Sequence, residues 1–246
     1  MTERPGGNRS GADRRGSPAR TRRVRGFAVA GVAVTAAVAL LTLGLPRLQA
    51  TLAYLPVDTA LARYFREGEV PPGQLVALRT RAETAIGHHP HYRYYDGLSQ
   101  LNYLQALDAA GKPWLQRPAL ARSLDAGLEA VARAPAKPRT WLRIARARAA
   151  LGEEATAVAE ALTMSILTGR VEPTLLLPRV ELGFQVAHAL DEEGRALLSD
   201  QTLLAWRVQE RAFRRALREG RLDLSRIESV LGTRSDTIVR ALENPG

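Results

Sequence analysis

Between Gly26 and Leu45 the chain runs for twenty residues without a charged side chain, and this run limits what it can become more than any other feature. At roughly 1.5 Å per residue, a helix of about twenty residues covers about 30 Å, the thickness of a bilayer's hydrocarbon core. The run is therefore long enough to cross a membrane once. Ahead of it stand Arg4, Arg9, Arg14, Arg15, Arg20, Arg22, Arg23 and Arg25 against only Glu3 and Asp13. Positive flanks stay on the cytoplasmic side. The expected order is a disordered, basic cytoplasmic tail over residues 1–25, a transmembrane anchor over 26–46 and an outward body over 47–246. In a bacterium that places the body in the periplasm, on a single-pass inner-membrane protein.

A cleaved signal peptide is the competing reading of the same run. Its apolar core, Phe27 to Leu45, exceeds the roughly 7 to 15 residues of a secretory signal, and Leu48 fits poorly as the small residue before a cut after Ala50. Thr21, Arg22 and Arg23 loosely resemble a twin-arginine export signal, but Phe27 comes too late. Ala33 and Ala37 form a small-xxx-small pair of the kind that lets helices pack closely, though chance explains it in so alanine-rich a segment.

The formal net charge is +10, of which eight arginines less two acids put +6 in the first 25 residues and leave +4 for the rest. Basic residues of the body are interleaved with acids and form no contiguous stripe with aromatics, so no nucleic-acid platform is expected; the tail suits anionic lipid. The chain has no cysteine, which removes disulfides, thiol nucleophiles and thiolate metal sites. A body of about 200 residues can stand on one apolar core without such staples.

Beyond the anchor, apolar residues recur at intervals of three and four, and alternating strand patterns are missing. The stripes predict helices in turn. Leu75, Leu78, Ala82 and Ala85 follow Pro71-Pro72-Gly73; Tyr94, Leu98, Leu101 and Leu104 follow Pro90; Leu120, Leu124, Leu128 and Val131 precede Pro135; Trp141, Ile144 and Ala145 follow Pro138. Further helices are expected over about Glu154 to Thr168, through Leu177, Val180, Phe184 and Ala187, through Leu203, Trp206, Phe213 and Leu217, and through Leu224, Ile227, Val230 and Leu231. The class is all-α.

The helices look paired. In the segment Pro138 to Pro173, Trp141 fills a bulky early position, Ala145 a small contact position, and Ala157 and Ala161 the packing face of the second helix. This resembles the tetratricopeptide family, whose unit of about 34 residues is a helix-turn-helix. The likeness covers roughly Leu52 to Pro173; Arg148 stands where the family has tyrosine, and the unit from Pro90 to Pro135 is longer than the family's. The resemblance implies a hairpin array forming an α-α superhelix; an irregular helical bundle is the other arrangement open to these stripes. A second set of segments resembles small anchored proteins found with bacterial exopolysaccharide machinery. It comprises Thr140-Trp141, Leu151-Gly152, Ser165 to Arg170 with Glu172-Pro173, Arg179 to Gly183, and Gln201 to Trp206. That likeness implies an accessory role in envelope assembly, with protein partners, and names no catalytic residue.

Chemistry is sparse. His88, His89 and His91 straddle Pro90 with no acid before Asp96 to complete a zinc site, and read as a solvated turn; His188 lies beside an apolar stripe as a hydrogen-bonded edge residue. Neither a Gly-x-Ser-x-Gly elbow nor a Gly-x-x-x-x-Gly-Lys loop is present. The acid pairs Glu153-Glu154 and Glu192-Glu193 fall at expected helix starts, where carboxylates favour the dipole. Neither catalytic nor cofactor nor metal residues are expected. Arginine is the residue used freely, and guanidinium groups clamp carboxylates and phosphates. Arg143 and Arg146, three apart on one helix, and Arg211 and Arg215 on another are the candidate partner-binding residues. The expected role is a non-catalytic scaffold held to lipid by Phe27 to Leu45. The alternative is an anchored helical enzyme acting on cell-wall or exported glycan, which needs two carboxylates in one cleft.

Overall fold

The computed structural model describes residues 18–68 and 70–243, and among them every regular element is helical. The chain divides into two units, Met1–Leu48 and Gln49–Gly246. Helix α1, Pro18–Glu67, contributes to both.

In the first unit, every residue from Gly31 to Leu45 is exposed. The apolar window has a mean hydropathy of 1.7 with none of it buried, so one helix near the N-terminus is long and apolar enough to cross a membrane. Its polar side chains are satisfied within the helix. Thr35 donates its hydroxyl to the Gly31 carbonyl at 2.9 Å and Thr42 to the Val38 carbonyl at 3.0 Å. The tail was expected to be unstructured to Arg25; residues 1–17 lie outside the described residues, but Pro18–Arg25 is already helical. Proline is suited to a first helical position and arginine is a good helix former.

Helix α1 continues past Pro46 in the first unit and past Pro56 in the second, where proline would ordinarily break a helix. Burial compensates. Ala50, Tyr54, Val57 and Leu61 recur at helical spacing and are all buried, in one apolar cluster with residues of α2 (Pro72–His88) and α3 (Tyr92–Asp108). Then follow α4 (Pro113–Arg133), α5 (Pro138–Leu151), α6 (Ala155–Thr168), α7 (Pro173–Gln185), α8 (Glu192–Arg218), α9 (Leu224–Leu231) and α10 (Asp236–Glu243). Prolines open α2, α4, α5 and α7, where the missing N–H is an orphan in any case. Gly152, at φ +77°, takes the left-handed turn that ends α5.

From α2 to α9 each helix packs on the next, and α3 with α5, α5 with α7 and α6 with α8 also meet. The larger apolar cluster fills α4 to α10, with Ile144, Leu162, Ile166, Leu176, Leu198 and Phe213 nearly or wholly inaccessible. Close approach depends on small residues. A Cβ on Gly183 would lie 2.4 Å from Leu198 Cδ1, and one on Gly97 only 1.9 Å from the Tyr54 hydroxyl oxygen.

Candidate functional site

Helices α1, α3, α5 and α7 line one groove of about 520 Å³. Tyr54, Asp58, Leu61 and Phe65 come from α1, Arg93, Asp96, Gln100 and Tyr103 from α3, Arg139, Arg143 and Arg146 from α5, and Thr174 and Leu175 from α7. The spacing explains the set. On α1 the positions 54, 58, 61 and 65 fall at i, i+4, i+7 and i+11, and on α5 the positions 139, 143 and 146 at i, i+4 and i+7, so each helix turns one face inward.

The floor of the groove is held by Arg143, which is buried. Its Nε donates to Ser99 Oγ at 2.8 Å, Nη1 to Gln100 Oε1 at 2.6 Å, and Nη2 to the Asp96 carbonyl at 3.1 Å and to Asp96 Oδ1. Four of its five N–H groups are thus committed to α3. Thr140 donates to the same Asp96 Oδ1 at 2.6 Å. Burial works against the Asp96 carboxylate, but the Arg143 charge and the hydrogen bonds from Thr140 and Arg143 outweigh it, holding the acid below its ordinary range. Ser99 in turn donates to the Ser123 carbonyl at 2.7 Å and Ser123 to the Ser99 carbonyl at 2.9 Å, pinning α3 to α4.

The walls are aromatic and the rim is charged. Tyr54 donates to the Arg93 carbonyl at 3.1 Å, and burial, with Asp96 and Asp58 nearby, pushes its phenol above the ordinary value. Arg93 pairs with Asp58 at 2.6 Å. Arg139 pairs with Glu172 at 2.5 Å, donates to Thr174 Oγ1 at 3.0 Å and lies over the Phe65 ring, which is itself exposed. Arg146 is half-buried at the edge and has neither an ion pair nor a hydrogen bond among the described residues. After internal pairing, Arg146 is the cation the groove leaves over.

The four candidate arginines thus separate. Arg143 and Arg146 reach one groove, the first as an internal strut and the second as an open donor. Arg211 and Arg215 are exposed on α8 and do not line that groove. Tyr54, Asp58, Phe65, Asp96 and Gln100 complete the site without having been singled out in the sequence. The inward stripe at 54, 58, 61 and 65 was the signal for the α1 residues, masked by the prolines at 46 and 56.

A second buried arginine, Arg179 on α7, binds Ser165, the Gly169 carbonyl and Gln201, while Gln201 Nε2 donates to the Arg170 carbonyl at 2.9 Å. Three segments of the exopolysaccharide-type resemblance, Ser165 to Arg170, Arg179 to Gly183 and Gln201 to Trp206, therefore meet in one network. At the α2–α3 turn, His91 Nδ1 accepts from the Arg93 N–H at 3.4 Å as the helix N-cap, and no group of three or more His, Cys, Asp or Glu suited to a metal occurs among the described residues. Glu153 lies 3.5 Å from Arg148, Glu154 precedes α6, and Glu192 and Glu193 open α8.

No protein-family model, curated protein or solved structure matches this chain. The arrangement itself offers a concave surface with exposed aromatic area, paired charges and one half-buried guanidinium without a partner among the described residues. Its two carboxylates, Asp58 and Asp96, are each paired with an arginine, and Asp96 is held ionised.

Proposed function

We propose that this protein is a non-catalytic, membrane-anchored scaffold whose helical hairpins form a tetratricopeptide-like array and bind an acidic partner segment in the groove between α1, α3, α5 and α7. The observation that carries the reading is Arg146: a guanidinium without a partner among the described residues, in a groove that Tyr103 and Phe65 also line and whose other charges are neutralised. The succession of neighbour contacts, with α3 meeting α5 and α5 meeting α7, is what stacked hairpins produce and supports the array. The apolar run of α1 confines the body to a membrane surface and raises its effective concentration near other membrane components. By the positive flank of that run, the body lies on the periplasmic side of a bacterial inner membrane. The convergence of Ser165, Gly169, Arg179 and Gln201 favours envelope or exopolysaccharide assembly as the setting, because these residues carry the likeness to proteins of that machinery.

A photo-crosslinking residue in place of Phe65 in living cells tests the groove. Adducts with polysaccharide-synthesis or export proteins, lost on Arg146→Glu, are expected. Retention of glycan fragments with no protein adduct would replace the scaffold by the anchored glycan-acting enzyme. An alkaline-phosphatase fusion after Gly246 that is inactive in cells would refute the periplasmic placement.

A further inference from the structure

We propose that the exposed face of α8 is a docking surface for anionic phospholipid headgroups. Arg211, Arg215 and Arg218 are all exposed and, at about 100° per residue, share an arc of about 60° over about 10 Å of helix. Arg207, also exposed, lies one turn earlier, before the kink at Gln209. None of the four has an acidic partner among the described residues; Glu210, the acid between them, is taken by Arg214 at 2.9 Å. Favourable interaction with the helix dipole accounts for Arg215 and Arg218 in the last turn, but not for Arg207 and Arg211.

The positive surface continues into a depression of about 290 Å³ lined by Arg170, Val171, Asp200, Leu204, Arg207 and Arg234, with Gln201 and Leu203. There Asp200 alone receives two arginines, Arg170 at 3.3 Å and Arg234 at 2.7 Å. Arg207 therefore adds charge to a site that is already in excess of cations. Val171, which lines it, is 71% exposed, and Val208, next to Arg207 in the chain, is 50% exposed. Guanidinium groups beside exposed aliphatic side chains match a layer that offers phosphates at its surface and hydrocarbon just beneath; an acidic protein surface would answer the charge but not the valines.

The inference rests on the anchor reading, because the apolar run ends at Leu45 and the second unit begins at Gln49, which keeps that unit within reach of lipid. The chain lacks cysteine, so Val208→Cys gives one attachment point for an environment-sensitive fluorophore. The labelled full chain, one copy per nanodisc, is compared in phosphatidylcholine and in discs with about one third phosphatidylglycerol. Blue-shifted emission and at least about a twofold loss of acrylamide quenching are expected in the anionic discs only, reversed by high salt and abolished by Arg211→Gln with Arg215→Gln. A label at Thr156→Cys, exposed on α6, should not respond. An equal response in both lipids, a response that survives the double substitution, or one that needs two copies per disc overturns the proposal, the last by assigning the face to a second chain. If the chain fails to co-elute with discs, the anchor reading fails on its own, and the same label with added phosphatidylglycerol vesicles decides the α8 face separately.

Discussion

Arg179 grips Ser165 twice, donating Nε–H to its hydroxyl at 3.0 Å and Nη2–H to its carbonyl at 2.5 Å. Its Nη1 reaches the Gly169 carbonyl at 2.9 Å and Gln201 Oε1 at 3.2 Å, so one side chain ties α6, α7 and α8. Among the described residues no carboxylate is within ion-pairing distance of this wholly inaccessible residue, and burial pushes the guanidinium down to about 10, which still leaves it charged at neutral pH.

Replacing Arg179 by alanine orphans the acceptors on α6, at its C-terminal Gly169 and on α8, and opens a cavity. The expected loss is about 2–4 kcal/mol in the denaturation of the full chain in detergent. Arg179→Lys recovers only part of it, because one ammonium cannot reproduce the planar fork. A loss under about 0.5 kcal/mol for alanine would mean that the network contributes nothing net.

Asp96 makes stability depend on acid. Its carboxyl is held below the ordinary value in the fold, so the unfolded chain takes up a proton first as pH falls. The contribution is complete above the ordinary carboxylate range and is lost as pH drops through that range and then through the folded value. Asp96→Asn should remove this component, flattening the acid limb of stability measured between about pH 5 and pH 2, and should cost about 1–2 kcal/mol at neutral pH by leaving Arg143 with neutral acceptors.

The helical stripes at Leu75, Leu78, Ala82 and Ala85 were legible because burial and period agree: all four are buried on α2. The continuation of α1 was not. Pro56 reads locally as a stop, and the burial of Tyr54, Val57 and Leu61 around it, with Tyr54 against Tyr94 at ring centroids 4.8 Å apart, outweighs it. Helix α10 was not expected, although Ile238 and Leu242, one turn apart, carry an apolar stripe that packs on the core. The shared face of Arg143 and Arg146 could be read from their spacing, yet which turns inward depends on Asp96, Ser99 and Gln100, more than forty residues earlier. Arg148 likewise looked like a departure from a tyrosine position; it donates to the Ala157 carbonyl at 2.8 Å and closes the α5–α6 hairpin by another means.

Gly97 and Tyr54 are predicted to be coupled. A Cβ at Gly97 would fall 1.9 Å from the Tyr54 hydroxyl oxygen and 2.9 Å from Cζ, so Gly97→Ala must displace the ring. The expected cost is about 1–3 kcal/mol, against about 1 kcal/mol for Tyr54→Phe, which loses only the bond to the Arg93 carbonyl. In Gly97→Ala with Tyr54→Phe, the hydroxyl clash is gone and the double variant should be less destabilised than the two single effects added together. Simple additivity in denaturation midpoints at constant m would show that the contact does not limit how α1 docks.

Arg146 and Arg143 give opposite signatures although they share a helix face. Arg146 is half-buried with no partner to lose, so Arg146→Glu should change stability by no more than about 0.5 kcal/mol while abolishing the Phe65-site crosslink to an acidic partner. Arg143→Gln removes the charge that answers Asp96 and most of the donors to α3, so it should lower stability by about 2–4 kcal/mol and weaken crosslinking only as far as the groove loosens. Arg146→Lys separates charge from geometry: a long-range electrostatic contribution survives it, whereas a bidentate clamp on a carboxylate does not. Crosslinking unchanged in Arg146→Glu, with its denaturation curve also unchanged, would remove this unpaired cation from the binding surface and leave the aromatic wall of Phe65 and Tyr103 to account for any partner.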